Sequence, residues 1–192
     1  MSYFSPPPAT KRKGTSRSMD ARQFRIQMNG LHPAAYGWAL HCCKHNRAVA
    51  DDVLQIVYLK ILEGKARFDG RSAFKTWLFA VIRKTASEER RRKMIFLGRF
   101  RFLAEGEDPK LHESVETPIH ESENRDMLVR AFARLSRRQQ EVLHLVFYQD
   151  LTIEETSATL GISLGSVRTH YERGKKRLRK ELECLEEFNE NR

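Results

Sequence analysis

Residues Leu151 to Lys180 read LTIEETSATLGISLGSVRTHYERGKKRLRK. Thr152 followed three residues later by Glu155 fits a capping box, so a helix starts there. It is short, because Gly161-Ile162-Ser163 supplies a sharp turn after Leu160. A longer second helix follows, with Val167, Tyr171, Gly174, Leu178 and Leu182 as its inward stripe. At about 100° per residue, the opposite side carries Gly165, Arg168, Thr169, Glu172, Arg173 and Lys176. A second helix that is polar at its N-terminal end predicts a helix-turn-helix that meets base edges in duplex DNA. Arginine can pair with guanine, glutamate can accept from cytosine, and threonine serves either role. Candidate duplex contacts are Ser166, Arg168, Thr169, Glu172, Arg173, Lys176 and Arg177, with Lys175, Arg179 and Lys180 suited to phosphates. The plainer alternative is a packed helical hairpin with a solvated basic face.

Composition supports the DNA reading. The 192 residues carry a net charge of +10 and a pI near 9.8, an excess that suits a polyanion. With 40% hydrophobic residues and a mean hydropathy of −0.60, the chain is polar but can bury a core. No apolar run approaches the roughly 18 residues that span a bilayer, and the first residues lack the apolar core of a secretory signal. The expected location is the cytoplasm. Adjacent Cys42 and Cys43 with remote Cys184 suggest no disulfide framework. No paired carboxylates, nucleophile with a base, or glycine-rich phosphate loop argue for catalysis, and no cofactor is expected.

Working outward, the periods are helical throughout, so the expected fold is all-α. Two small helical domains are joined by a flexible acidic linker. Residues 1–18 hold three prolines and four cations without an acid, and read as a disordered basic arm. A helical domain is expected over 19–104, a linker over 105–125 and the helix-turn-helix domain over 126–192. Eight acids lie between Glu105 and Asp126, interrupted by Pro109 and Pro118. In the last domain Leu128, Ala131, Phe132 and Leu135 share a face, and Ser136 with Gln139 forms another capping box.

In the first domain, Asn29-Gly30 is expected to end one helix and Pro33 to start the next. That second helix turns Ala35, Trp38, Ala39 and Cys42 inward. A third, opening at Asp51-Asp52, turns Leu54, Val57, Tyr58, Ile61 and Leu62 inward. Its other side carries Asp52, Gln55, Ile56, Leu59 and Glu63, a candidate partner surface. A fourth helix, from near Ser72, buries Phe74, Trp77, Leu78, Val81, Ile82 and Thr85. Its outer face is expected to carry Ser72, Thr76, Phe79, Arg83 and Arg90. An outward aromatic among hydroxyls and cations suits single-stranded nucleic acid, with bases stacked on the ring and cations along the backbone. The turn Asp69, Gly70, Arg71, Ser72 could hold a flipped base, and Arg90, Arg91, Arg92 and Lys93 could follow phosphates. The plainer alternative packs Phe79 on the first helix.

Three stretches together resemble the bacterial sigma-seventy superfamily of RNA polymerase sigma factors, in its minimal extracytoplasmic-function group. ADDVLQIVYLKIL resembles the region that docks on core RNA polymerase. RFDGRSAFKTWLFAVIRKTASEERRRK resembles the region that melts and reads the minus-ten element. LSRRQQEVLHLVFYQDLTIEETSATLGISLGSVRTHYERGKKRLRKEL resembles the reader of the minus-thirty-five element. The resemblance implies polymerase contacts at Asp52 and Gln55, which makes polymerase the expected partner of the outward Ile56 and Leu59 beside them, and a base pocket at Asp69 to Ser72. It implies core RNA polymerase and promoter DNA as partners, and in many members an anti-sigma factor. The chain departs from the family pattern at Ile56, where an acid is usual, and at Lys84, where Asn is common. Two rivals remain: a helix-turn-helix regulator that needs no polymerase, and a metal sensor built on His41, Cys42, Cys43 and His45.

Overall fold

The computed structural model describes residues 21–103 and 123–190, and among these every regular element is helical. The chain divides into two compact units near Glu116. The predicted arm over 1–18 and most of the predicted linker lie outside the described residues. The linker's last three positions, 123–125, belong to the first helix of the second unit.

The first unit comprises α1 (Ala21–Cys42), α2 (Arg47–Leu62) and α3 (Phe74–Leu103), each packed on the other two. The expected break at Asn29-Gly30 is absent, because α1 runs through it and through Pro33. Proline removes the bond to the carbonyl of Asn29, but Asn29, Gly30 and Pro33 are exposed, so water can reach that carbonyl. The stripe of Ala35, Trp38, Ala39 and Cys42 is buried as expected. Trp38 Nε1 donates to the carbonyl of Phe79 at 3.0 Å, so the buried indole N–H is satisfied.

Helix α2 starts before Asp51, because the Asn46 side chain accepts from Val49 N and caps it. Ala50, Val53, Leu54 and Val57 are buried, with Tyr58 and Ile61 half-buried. Leu62 was expected inside but is 81% exposed. It lies about 100° past Ile61 on the helix and so leaves the buried stripe. Lys60 Nζ reaches Thr85 Oγ1 at 3.1 Å and Glu88 at 2.7 Å, tying α2 to α3.

Helix α3 begins at Phe74, slightly after the expected Ser72. Its predicted stripe is largely confirmed, with Trp77 and Val81 half-buried. Two residues assigned to the outer face are in fact interior: Phe79 is 0% and Thr76 2% exposed. A helix packed on both α1 and α2 buries more than one stripe.

The second unit comprises α4 (Glu123–Ala133), α5 (Arg137–Leu143), a π-helical turn at His144–Tyr148, α6 (Ile153–Leu160) and α7 (Leu164–Glu190). Both capping boxes form as read, from Ser136 with Gln139 and Thr152 with Glu155. Ala131 and Leu135 are buried and Phe132 is half-buried, whereas Leu128 is exposed. The Gln140 amide converges on the carbonyls of Phe132, Ala133 and Leu135 at 3.0, 3.3 and 3.1 Å. It thereby covers carbonyls left open where α4 ends. Buried Glu141 accepts from Arg137 at 3.1 Å and Arg138 at 2.8 Å. Gly174 lets α7 lie close to α5: a Cβ there would stand 3.2 Å from Leu143 Cδ1.

Candidate nucleic-acid interface

The turn before α7 is built from local chemistry. Gly161 takes a left-handed conformation at φ 62° and closes α6. Ser157 Oγ donates to the Ile162 carbonyl at 2.6 Å and holds the turn. Ser163 Oγ then accepts from Ser166 N at 3.2 Å and caps α7. This cap orients the first turns of α7, where Arg168, Thr169, Glu172, Arg173 and Lys176 are all exposed.

Their chemistry differs. Thr169 Oγ1 donates to the Gly165 carbonyl at 2.9 Å, leaving its methyl as an apolar contact. Ser166 shares a 2.9 Å hydroxyl contact with Ser163. Glu172 pairs with Lys175 at 3.2 Å, and Arg168 lies 4.0 Å from Glu154. These exposed pairs contribute little and can exchange for a ligand. Arg177 lies 3.6 Å from Glu181. Hydrogen bonding to Arg134 holds the Glu181 carboxyl below its ordinary range. Among the described residues Arg173 and Lys176 have no ion-pair partner, which leaves both cations available to an anion. The other side of α7 is anchored: Val167 and Gly174 are buried, and Phe147 stacks on Tyr171 at 5.8 Å.

In the first unit, Asp69, Gly70, Arg71 and Ser72 form an exposed turn with Gly70 at φ 72°. Asp69 accepts from Arg71 N at 3.2 Å and pairs with Arg71 Nε at 3.0 Å. An aromatic cluster positions this turn. Phe68 meets Phe74 at 5.2 Å and Trp77 at 5.4 Å, and Phe24 meets Phe74 at 5.2 Å. Phe74 and Trp77 lie on the stripe that helical periodicity predicts, whereas Phe68 precedes the helix and joins them beside the turn without any periodic signal. Arg83 and Arg90 are half-buried, and Arg91, Arg92 and Lys93 are exposed. Phe79 does not join them: its ring lies under Trp38, 6.1 Å between centroids. It presents no face for a base, and Thr76 lies inside with it.

On α2, Asp52, Gln55 and Leu59 are exposed and Ile56 is half-buried. Leu62 extends this face beyond what was read. Residues 28–94 match the family profile described as Sigma-70 region 2, and residues 131–180 that of Sigma-70, region 4. The chain belongs to the sigma-70 family, in its extracytoplasmic-function group. It is 28% identical over 167 residues to the ECF RNA polymerase sigma factor SigX of Bacillus subtilis (strain 168), covering 85% of this chain and 86% of that one. It is 27% identical to the RNA polymerase sigma factor CarQ of Myxococcus xanthus, covering 73% and 79%. Its fold is similar to that of the sigma factor RpoE in a co-crystal structure with the anti-sigma factor NepR from Bartonella quintana. That match has a TM-score of 0.65 at 21% identity and covers 85% of this chain and 98% of that chain. As a sigma factor, the protein directs promoter-specific transcription with RNA polymerase.

Within the His41-Cys42-Cys43-His45 stretch, His41 and Cys42 pack against the core, Cys43 is half-buried and His45 is exposed. His41 stacks on Trp38 at 5.3 Å, and Cys42 is buried. Burial pushes the Cys43 thiol up to about 11, against the opposing pull of Lys93 and Arg90. Among the described residues, no group of three His, Cys, Asp or Glu side chains could hold a metal ion.

Proposed function

We propose that the two units divide promoter recognition between them. The exposed face of α7, with Ser166, Arg168, Thr169, Glu172, Arg173, Lys176 and Arg177, reads the upstream duplex element. The turn Asp69 to Ser72 holds an unpaired base of the minus-ten element, and Arg83 and Arg90 hold its backbone. With Phe79 in the core, half-buried Phe68 and Trp77 replace it as the aromatics beside that turn. Asp52, Gln55, Ile56, Leu59 and Leu62 on α2 dock on core RNA polymerase in the cytoplasm. The protein supplies recognition and the polymerase supplies the catalysis. An anti-sigma factor, as in the co-crystal structure of RpoE with NepR, is a further partner.

The observation that carries this reading is the capped recognition helix with exposed hydrogen-bonding residues on its first turns. Exposed Leu59 and Leu62 favour a polymerase-dependent factor over a regulator acting alone. The test is in vitro transcription with purified core polymerase on genomic fragments, with start sites mapped. Discrete new start sites, with permanganate-reactive thymines upstream of them, are expected. Occupied DNA that never opens in the presence of core polymerase would favour the simple regulator.

A further inference from the structure

Beyond the basic turn at Arg90, α3 continues to Leu103. Met94, Ile95 and Phe96 are 68%, 54% and 63% exposed. Successive residues on a helix are about 100° apart, so these three cannot share one buried stripe. Arg91, Arg92 and Lys93, immediately before them, are exposed as well. Arg92 pairs with Glu89 at 3.0 Å, and Arg92, Lys93 and Phe96 line one shallow hollow with Glu89. From Arg90 to Leu103 the sequence has six cations, seven large apolar residues and no acid. No helix among the described residues is long and apolar enough to cross a membrane.

We propose that the Arg91–Phe96 segment of α3 docks on an anionic lipid surface. Such a surface is complementary to both halves of the segment: headgroup phosphates meet the cations, and hydrocarbon lies just beneath for the apolar side chains. Arginine and lysine have long apolar stems that bridge these two depths. Single-stranded DNA offers the phosphates and could use the one ring of Phe96, but Met94 and Ile95, exposed comparably to Phe96, have no ring on which a base can stack and gain only from hydrocarbon. The docking is peripheral and separate from the promoter-reading turn and from the α2 face.

The experiment is co-sedimentation of the full chain with phosphatidylglycerol-containing or pure phosphatidylcholine vesicles. Binding to the anionic vesicles is expected to exceed binding to the neutral ones by about tenfold or more. It should also weaken as NaCl is raised. The double variant Met94→Ser with Ile95→Ser should lose most vesicle binding. It should keep its circular dichroism spectrum and its transcription with core polymerase, which separates this inference from the promoter-reading proposal. Equal binding to both vesicle types would overturn the proposal, as would full binding by the double variant. Absent vesicle binding, with weakened single-strand DNA binding by that variant, would assign the segment to nucleic acid and overturn it too. Loss of a wild-type dimer in the variant, with no vesicle binding by either, would assign the face to a second copy.

Discussion

Leu62 tests the polymerase face most directly, because sequence periodicity placed it inside and the structure places it outside. It is 81% exposed, and Leu59, one turn away on the same side, is 55% exposed. Burying a leucine side chain fully is worth about 1.5 to 3 kcal/mol. Scaled by exposure, covering either residue in an interface should recover roughly 1 to 2 kcal/mol. Leu62→Ser forfeits most of that gain, so its Kd for core polymerase should rise by about tenfold, the equivalent of about 1.4 kcal/mol. Both side chains already face water in the free chain, so stability should change by no more than about 0.5 kcal/mol. The combined Leu59→Ser and Leu62→Ser variant should be weaker still, though adjacent residues need not add. Fluorescence anisotropy of the labelled factor, titrated with core polymerase, reads the Kd, and thermal melting checks folding. Unchanged affinity in both single variants and in the double variant, with folding intact, would remove this face from the interface.

Other substitutions probe the second unit and the cysteines. Gly174→Ala and Gly165→Ala alter the same helix, so most of the helix-propensity gain cancels between them. A Cβ at 165 meets nothing within 4 Å, whereas at 174 it presses on buried Leu143. Gly174→Ala should therefore be less stable than Gly165→Ala by about 1 to 3 kcal/mol, the usual cost of overpacking. Hydrogen exchange in α5 and α7 reads the difference, and equal protection would refute close packing there. Arg173→Ala should cost about 1 to 3 kcal/mol on the preferred upstream element and relax its sequence preference. Lys176→Ala should instead weaken binding to all sequences and flatten the salt dependence. Unchanged affinity and preference in Arg173→Ala would mean that α7 meets DNA by another face. The Cys43 thiol, pushed up to about 11 by burial, should stay mostly protonated at neutral pH and become reactive only as pH rises toward that value. Iodoacetamide at neutral pH should label exposed Cys184 well before Cys43, read by peptide mass spectrometry, and equal rates would contradict the burial.

The second unit was legible because its punctuation is local. Thr152 with Glu155, Ser136 with Gln139, and Gly161 each act within about one helical turn, so the sequence contains both partners. The π-helical turn at His144–Tyr148 and the reach of Gln140 to the end of α4 left no such signature, because both depend on how helices meet. Asn29-Gly30 misled for the opposite reason. It is a good stop signal, but packing of α1 against α2 and α3 overrides local propensity.

Phe79 shows what a single-stripe reading leaves out. On a helix with one neighbour, a residue about 100° from the apolar stripe faces water. Helix α3 has two neighbours: its predicted stripe already meets both, Phe74 against Phe24 of α1 and Thr85 bonded by Lys60 of α2, and Phe79 under Trp38 widens the face buried on α1. The correction changes the proposed mechanism of opening as well as the map. A ring at 0% exposure cannot stack on a base without unpacking the core, so the proposed base capture is assigned to the turn itself. Phe68, beside Asp69, is held by contacts of 5.2 Å to Phe74 and 5.4 Å to Trp77. The turn proposed as the pocket is therefore anchored to α3 through an aromatic cluster rather than displayed along its outer face. A turn fixed in this way is pre-organised, so less ordering opposes the capture of an extruded base.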